Sequence, residues 1–347
     1  MPTWHGPRQT SLRIDLYTPT EELVGTLTGV EGGTITRQNT GTIKTSGSIT
    51  ITNPGNIPWR ARRLQPIYTI NGEDYPLAML IPTTPKTRYT ATTHTLEIKV
   101  LDKLSLLDQE IGTTFVVTAG TNVLQAVTTL IQSLGETKTA FTPSTAVARL
   151  DRTFTPDTST LTIINTLLLS SGYESLAVTP RGFYTTKPYL NDTARPSIYT
   201  FLDNRQSIYT PTFTTDEDDF NIPNRIVGIS TSSGSTPALT SIAENDDPAS
   251  PTSHAVTGKW VTKTIPNIDA TSQEALDAEV RRQLTKAAAA GMTIDFEHAW
   301  IPLDLEDAVT FRNEKAGLEF TAIVQAQHYS LNPLELVQST MRKAIAL

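Results

Sequence analysis

Four consecutive acidic residues, Asp216, Glu217, Asp218 and Asp219, directly precede the apolar run "NRIVGIS". Carboxylates this close together could bind a divalent cation or act as an acid and a base. A calcium loop, however, places its ligands at alternate positions and turns at a glycine, whereas these acids are adjacent and Phe220 follows them. Adjacent side chains of an extended backbone point to opposite sides. We therefore favour a solvated loop before a buried strand, with a divalent-ion site as the alternative.

A second acidic cluster, "ENDDP", lies in a stretch rich in proline and serine. A solvated loop is again the favoured interpretation, but a loop can wrap around an ion, so Ca²⁺ is a somewhat stronger alternative here. Whether an ion binds at 216–219 or at 244–247 is left open by the residue pattern alone.

No other residues show the spacing of a known catalytic or cofactor site. The five histidines are scattered without an HExxH pattern, and G-x-S-x-G, the phosphate-binding loop and the dinucleotide-binding glycines are missing. The chain has no cysteine, which excludes thiol catalysis and cysteine-bound zinc. We therefore expect no catalytic, cofactor-binding or metal-binding residues, no cofactor and no enzyme. A pair of glycosidase carboxylates from distant strands stays open.

Two further sets of residues suggest packing or contacts rather than chemistry. A short basic cluster next to Trp59 favours a solvated strand edge, with an ion-pair contact to an acidic neighbouring subunit as the alternative. It comprises Arg60, Arg62 and Arg63. The four tryptophans are spread along the chain, so we expect each to pack in a core or an interface. They are Trp4, Trp59, Trp260 and Trp300.

The composition favours strands. Threonine makes up about one residue in six of the 347, and its branched side chain suits a half-exposed sheet. The formal net charge of −7 argues against a nucleic-acid binder, which would carry a basic surface. No apolar run approaches the roughly 20 residues of a membrane span, so we expect no membrane insertion.

Hydrophobic periodicity predicts strands at both ends of the chain and helices between them. "TLEIKVLD" alternates apolar and polar residues, and Asn71-Gly72 suits a tight turn in which both residues have positive φ. Helical stripes follow in "TNVLQAVTTLIQSLG" and in "PDTSTLTIINTLLLSSGY", where we expect Asp157 as the N-cap. A third helix at 271–290 begins with a capping box. The stretch after "NRIVGIS" shows no period and is expected to be a long loop.

These elements predict a mainly β (α+β) fold. We expect a first β domain at 1–112 together with about 191–225, and an inserted small α+β domain at 113–190. A second β domain at 226–347 would contain the one helix at 271–290. The two β domains would be barrels or sandwiches.

The order of segments resembles that of a known family, the minor tail proteins of long-tailed phages of Gram-positive hosts, in particular their baseplate or tail-tip hubs. The resemblance covers about 12–345. The segments that carry it are "NIPWRARRLQPIYTINGEDYPLAMLIPTTP", "LDKLSLLDQE", "TFVVTAGTNVLQAVTTLIQSLG", "PDTSTLTIINTLLLSSGYESLAVTPRGFYTTKPY", "DDFNIPNRIVGIS" and "AENDDPASPTS".

The resemblance implies two β domains similar to the tail-tube fold, with the helical block inserted between them. It implies a homotrimeric ring of six such domains that continues the tail tube, connects it to tip or receptor-binding proteins and lets genomic DNA pass without specific binding. The implied partners are the distal tail protein, the tape measure protein and the tip or fibre proteins. The implied location is the tail tip of a virion, after synthesis in the host cytoplasm.

Two alternatives belong to other functional classes. A host-surface carbohydrate-binding adhesin predicts exposed aromatic side chains in one cleft. A glycan hydrolase or peptidase predicts turnover of cell-wall material that is lost when one carboxylate is changed. In the resembling family such activities often lie in a further region, which we expect on another protein.

Overall fold

The computed structural model describes residues 4, 6–217, 222–230, 238–248, 250–268, 270, 273–288 and 292–344. Eight strands form the N-terminal β unit: β1 (Thr10–Tyr17), β2 (Leu23–Thr26), β3 (Val30–Gln38), β4 (Thr45–Thr52), β5 (Arg63–Ile70), β6 (Glu73–Pro76), β7 (Leu80–Tyr89) and β8 (His94–Asp102). The alternation expected for "TLEIKVLD" is confirmed, since Leu96, Ile98 and Val100 of β8 are buried. Asn71 and Gly72 both have positive φ between β5 and β6, as predicted.

The inserted unit, residues 104–190, follows β8 and Lys103. It comprises β9 (Phe115–Val117), α1 (Val123–Ser133), β10 (Arg152–Phe154), α2 (Thr160–Ser170), β11 (Ala177–Val178) and β12 (Tyr184–Thr185). Both helices bury apolar side chains in one shared core, and each fully buried leucine or isoleucine stabilises the fold by roughly 1.5–3 kcal/mol. The predicted N-cap of α2 was wrong. Ser159 caps this helix by accepting from the Thr162 N–H, while Asp157 lies in the turn before it.

Two strands then begin the second β unit, β13 (Ser197–Leu202) and β14 (Tyr209–Glu217). The small sheet unit, residues 225–288, interrupts it with β15 (Arg225–Ser230), β16 (Thr240–Glu244), α3 (His254–Thr257), β17 (Thr262–Ile268) and α4 (Gln273–Ala288). The second β unit is completed by β18 (Met292–His298), β19 (Ala308–Asn313), β20 (Leu318–Ser330) and β21 (Val337–Lys343).

The strand pairing differs from the predicted division of the chain. The range 191–225 was expected in the first β domain, but β13 pairs with β19 and β14 pairs with β18, both in the second β unit. Residues 225–288 form a separate sheet in the order β16-β15-β17, which α4 covers. The stretch after β15 was expected to be a loop throughout, yet it contains β16 and α3. Alternation reveals a strand but not its partner, which accounts for these differences; the number of independently folding domains stays a prediction.

The two β units have the same strand order. In the N-terminal unit the order is β3-β4-β8-β7-β5, and in the second unit it is β14-β18-β21-β20-β19. In each unit the chain first forms the strands at the first and second places of this order. It then forms the strands at the fifth, fourth and third places. The chain thus contains two copies of one topology, and the small sheet unit is inserted between the first two strands of the second copy.

One antiparallel pair, β20 with β3, joins the two β units into a fourteen-stranded sheet. Trp300, Tyr329 and Leu331 of the second unit pack into the core of the N-terminal unit, so the junction is also apolar. The mainly β fold class is confirmed. No helix within the described ranges is both long and apolar enough to cross a membrane.

Candidate functional site

The acidic run lies at the end of a strand of the large sheet. Asp216 and Glu217 are the last two residues of β14, and the side chain of Asp216 is exposed. The run was expected in a loop, so its first half is corrected to a strand; Asp218 and Asp219 lie outside the described residues. In the described part of the chain, no group of three or more acidic or histidine side chains is placed to hold a metal ion. A cation at 216–219 or 244–247 stays an untested alternative.

Two acids of the second cluster contact basic side chains of this chain. Glu244, the last residue of β16, forms an ion pair with Arg225, which lies opposite it on β15. Asp246 lies 3.2 Å from His254 Nδ1. His254 in turn stacks on Trp260 with ring centroids 4.1 Å apart, and the Arg225 guanidinium carbon lies 4.5 Å from the centre of the same indole. These contacts hold the loop against the small sheet unit.

A serine and a histidine, the residue types of a nucleophile and its base, meet inside the second β unit. His298 Nε2 lies 2.8 Å from Ser339 Oγ, and His298 Nδ1 lies 2.9 Å from the Ala299 carbonyl oxygen. Both side chains are completely buried, and the Phe201 ring lies 5.0 Å from the imidazole. Burial lowers the pKa of His298 to about 4, so the ring is neutral at pH 7. Because no substrate can reach the pair, its role in this structure is packing.

A buried ion-pair cluster joins the N-terminal β unit to the inserted unit. We define it by Glu21, Arg63 and Lys103 from the first and Glu136 from the second. Lys103 Nζ lies 2.8 Å from Glu136 Oε2, and the Arg63 guanidinium donates to Glu136 Oε1 at 2.5 Å. Both cations also pair with Glu21. Two cations thus face two carboxylates, which offsets the cost of removing these charges from water.

Other groups of the inserted unit complete this cluster. Lys103 Nζ donates to the Gly182 carbonyl oxygen at 2.9 Å and lies 4.8 Å from the centre of the Tyr184 ring. Lys138 Nζ lies 2.6 Å from Glu21. Burial disfavours charge on Glu21, but the hydrogen bonds from Lys103 and Lys138 outweigh it and lower the pKa of this carboxyl. Glu21 therefore stays charged, and the cluster fixes the two units against each other.

The structure separates the three arginines of the basic cluster in the sequence. Arg63 is buried and paired within the chain, so neither a solvated strand edge nor a neighbouring subunit describes it. Arg60 is exposed, and Arg62 donates to the Ala61 carbonyl oxygen at 2.7 Å. The partners of Arg63 lie 42 and 73 residues away in the chain, and no local pattern indicates contacts of that kind.

A second charged cluster joins the inserted unit to the second β unit. Arg342 pairs with Asp192 and lies 2.9 Å from Glu306, while Arg195 lies 3.0 Å from Glu174 and 3.4 Å from Glu306. Burial raises the pKa of Asp192 although Arg342 opposes this shift. Three carboxylates thus face two arginines. No local sequence pattern indicates any of these residues.

Two cavities flank the buried Arg37, where the N-terminal β unit, the inserted unit and the second β unit meet. The Arg37 guanidinium donates to Asp304 at 2.7 Å. The first cavity measures about 180 Å³ and is lined by both charged and apolar residues. The second measures about 390 Å³, and its aromatic lining comprises Tyr75, Phe183, Trp300 and Tyr329. Trp300 Nε1 is buried without a hydrogen-bond partner in the described part of the chain.

One face of the large sheet is polar. Its side chains pair across strands from β18 to β8 and are exposed or half-buried, whereas the opposite face packs into the cores. We call this the polar face and define it by Thr293, Asp295, Glu297, Thr340, Gln338, His328, Thr36, Thr34, Ser46, Ser48, Thr50, Glu97 and Lys99. Hydroxyl and amide groups predominate on it, with charges of both signs interspersed.

Solved structures with this fold are phage tail proteins and related components. The tail protein from Neisseria meningitidis MC58 superposes with a TM-score of 0.71 at 14% identity, over 96% of this chain and 97% of that chain. The 43 kDa tail protein of prophage MuSo2 from Shewanella oneidensis gives 0.69 at 12% identity, over 96% and 99%.

A third similar structure is the E. coli c3393 protein, described as a component of the type VI secretion system similar to the T4 bacteriophage tail proteins gp27 and gp5. It gives a TM-score of 0.54 at 10% identity, over 98% of this chain and 77% of that chain. No protein-family model matches the sequence, and no curated protein matches it. At these identities the similarity establishes the fold.

Proposed function

We propose that this chain is a structural protein of a phage tail or a tail-like particle, located in the virion at the tail tip or baseplate. The observation that carries the proposal is the shared fold over nearly the whole of this chain and of two tail proteins. A similarity confined to one β unit would indicate only a common module. Because fold alone does not determine function, the location needs its own test.

We propose further that three chains form a ring around the tail axis. The two β units of each chain have the same strand order, so three chains would supply six similar units. A head-to-tail contact between identical copies closes into a ring when its rotation allows. Such a ring has six-fold character towards the tail tube and three-fold character towards the tip.

In this arrangement the polar face lines the channel through which DNA passes. Hydroxyl and amide side chains give a hydrated wall, and the net charge of −7 provides no basic surface that would hold phosphates. The ring would connect the distal tail protein and the tape measure protein to the tip or fibre proteins. We propose no catalytic role, since the Ser339–His298 pair is closed to substrates.

Antibodies against this chain, with gold labelling of intact particles, test the proposed location. Gold at the capsid-distal end of the tail supports a tip component. Gold along peripheral fibres would favour the adhesin instead, and the absence of label from every particle would overturn the structural role.

A carbohydrate-binding adhesin is the second candidate, and the aromatic cavity beside Arg37 favours it. Aromatic rings with a nearby cation form a site in which a sugar could stack. Titration of the purified chain with cell-wall oligosaccharides, followed by tryptophan fluorescence, tests this. A saturable change would support the adhesin, and an unchanged spectrum would argue against it.

A further inference from the structure

Several strands of the large sheet have an outer side without a partner within the described residues, and β14 and β7 are two of them. β14 pairs with β18 on one side only. β7 pairs with β8 along its length, but on its other side it meets β5 only where Leu80 faces Leu64. The outer part of β7, residues 82–89, therefore presents free backbone groups, as β14 does. Such edges are templates for pairing with another chain.

The junction inside the chain indicates how these edges could be used. β20 and β3 hold the fourth and first places in the strand orders of their units, and they pair to join the units. β7 holds the fourth place in the N-terminal unit, and β14 holds the first place in the second unit. The two open edges are thus the equivalents of the two strands that already pair. Pairing β7 of one copy with β14 of the next would repeat the internal junction.

The register of the internal junction identifies the residues that would meet. Its antiparallel ladder runs from Ala326 opposite Gln38 to Ser330 opposite Thr34, and so uses the last five residues of β20 and of β3. The equivalent segments are 85–89 of β7 and 213–217 of β14. Aligned in the same way, they place Lys86 opposite Asp216.

The charges of these two segments are complementary. Lys86 and Arg88 are exposed, and neither has a carboxylate within ion-pair distance in the described part of the chain. Asp216 is exposed and is the first of the four consecutive acids. Opposite charges on facing strands stabilise a pair, and like charges destabilise it. Two copies of β7 would repel each other, as would two copies of β14, so the charges select the head-to-tail contact that a ring requires.

We propose that β7 of one copy pairs with β14 of the next, with Lys86 opposite Asp216 and Arg88 two positions along on the same face of β7. This inference rests on the proposed ring and names its contact. Asp216, the first residue of the acidic run, then acts in recognition between copies. The continuous sheet, and with it the polar face, extends across each contact.

Cysteine cross-linking tests the contact directly, because the chain contains no cysteine of its own. The double variant Lys86→Cys with Asp216→Cys, oxidised at high chain concentration, should give disulfide-linked chains in a ladder that ends at three copies. The matched control is Lys99→Cys with Asp216→Cys. Lys99 is on the polar face of β8, which has strand partners on both sides, so no ladder is expected. Equal linking in both variants, or none in either, would overturn the assignment.

Charge reversal supplies an independent readout by sedimentation. In the double variant Lys86→Glu with Arg88→Glu, self-association should require a chain concentration at least tenfold higher than in the wild type. Adding Asp216→Lys to that variant should restore association, whereas a purely structural defect would not be rescued. If gold labels the tail tip but neither test responds, the edge assignment alone fails. If cross-links form but no particle is labelled, the proposed location fails and the contact stands.

Discussion

Lys103 Nζ lies 2.8 Å from Glu136 Oε2, and no part of the Lys103 side chain reaches solvent. The lysine follows the last strand of the N-terminal β unit, and the glutamate belongs to the inserted unit. A charge removed this completely from water is tolerated only where paired charges and hydrogen bonds replace the lost solvent. The contact therefore ties the orientation of the inserted unit to the β sheet.

Lys103→Met should lower the free energy of unfolding by about 3–5 kcal/mol, because it leaves the buried carboxylates with one cation too few. Urea unfolding followed by circular dichroism measures the loss. Lys138→Met is the matched control: Lys138 also pairs with Glu21 but is 39% exposed, so its loss should cost about 1 kcal/mol or less. Equal losses in the two variants would contradict the importance assigned to burial.

His298 should make the folded chain less stable as the pH falls from about 6.5 to 4. Its folded pKa of about 4 is below the ordinary value of 6.5, so within this window the unfolded chain binds a proton that the folded chain does not. The contribution present above pH 6.5 is lost progressively, up to about 3 kcal/mol.

Unfolding free energies of the wild type and His298→Gln, measured at several pH values, test this. The variant should show a weaker loss of stability on acidification. His328→Gln, which removes a histidine that contacts Thr36 at the surface, should keep the wild-type dependence. A wild-type slope in His298→Gln would refute the assignment.

Asp102 should contribute in the opposite direction. Burial raises its pKa to about 6, so between pH 3.8 and 6 the folded chain binds a proton that the unfolded chain does not. Its stabilising contribution is present at low pH and is lost as the pH rises through 6, by about 2–3 kcal/mol. Asp102→Asn should therefore steepen the rise of stability with pH. The asparagine amide cannot accept from both the Thr45 and Leu104 N–H groups, so the variant also loses a hydrogen bond at every pH. The quantity to compare is therefore the slope of the unfolding free energy against pH. An unchanged slope would contradict the raised pKa.

Gly228→Ala should destabilise the small sheet unit. A Cβ at this position would lie 2.2 Å from Val280 of α4 and 2.8 Å from Ile268, so the helix would have to move away from β15. Overpacking of this kind costs about 1–3 kcal/mol. Hydrogen exchange of the amides of β15 and β16 measures it. Gly32→Ala, where a Cβ meets nothing within 4 Å, should leave those rates unchanged. Equal exchange in both variants would show that the packing can adjust.

Local patterns predicted the elements that depend on local physics. Asn71-Gly72 adopts the positive φ angles of a tight turn, as predicted. The helical stripes of α1 and α2 are buried. Where two residues could cap the same helix, however, the pattern could not distinguish Asp157 from Ser159, since the choice depends on where the preceding turn ends.

Partners distant in sequence were beyond such patterns. The apolar residues of β13 predict a strand, but its pairing with β19, more than 100 residues later, depends on the closure of the whole unit. Arg63 and Lys103 look like ordinary surface cations in the sequence, and only the fold places them beside Glu21 and Glu136. The polar face could not be predicted from the sequence either, because its residues come from six strands distributed over both β units.

A cryo-electron-microscopy reconstruction of isolated tail tips, with three-fold averaging, tests the proposed ring. We predict three copies of this chain around the axis, with six β units in one ring and Thr36, Ser48 and Gln338 facing the channel. Density for the chain in peripheral fibres, or in single copies away from the axis, would contradict it.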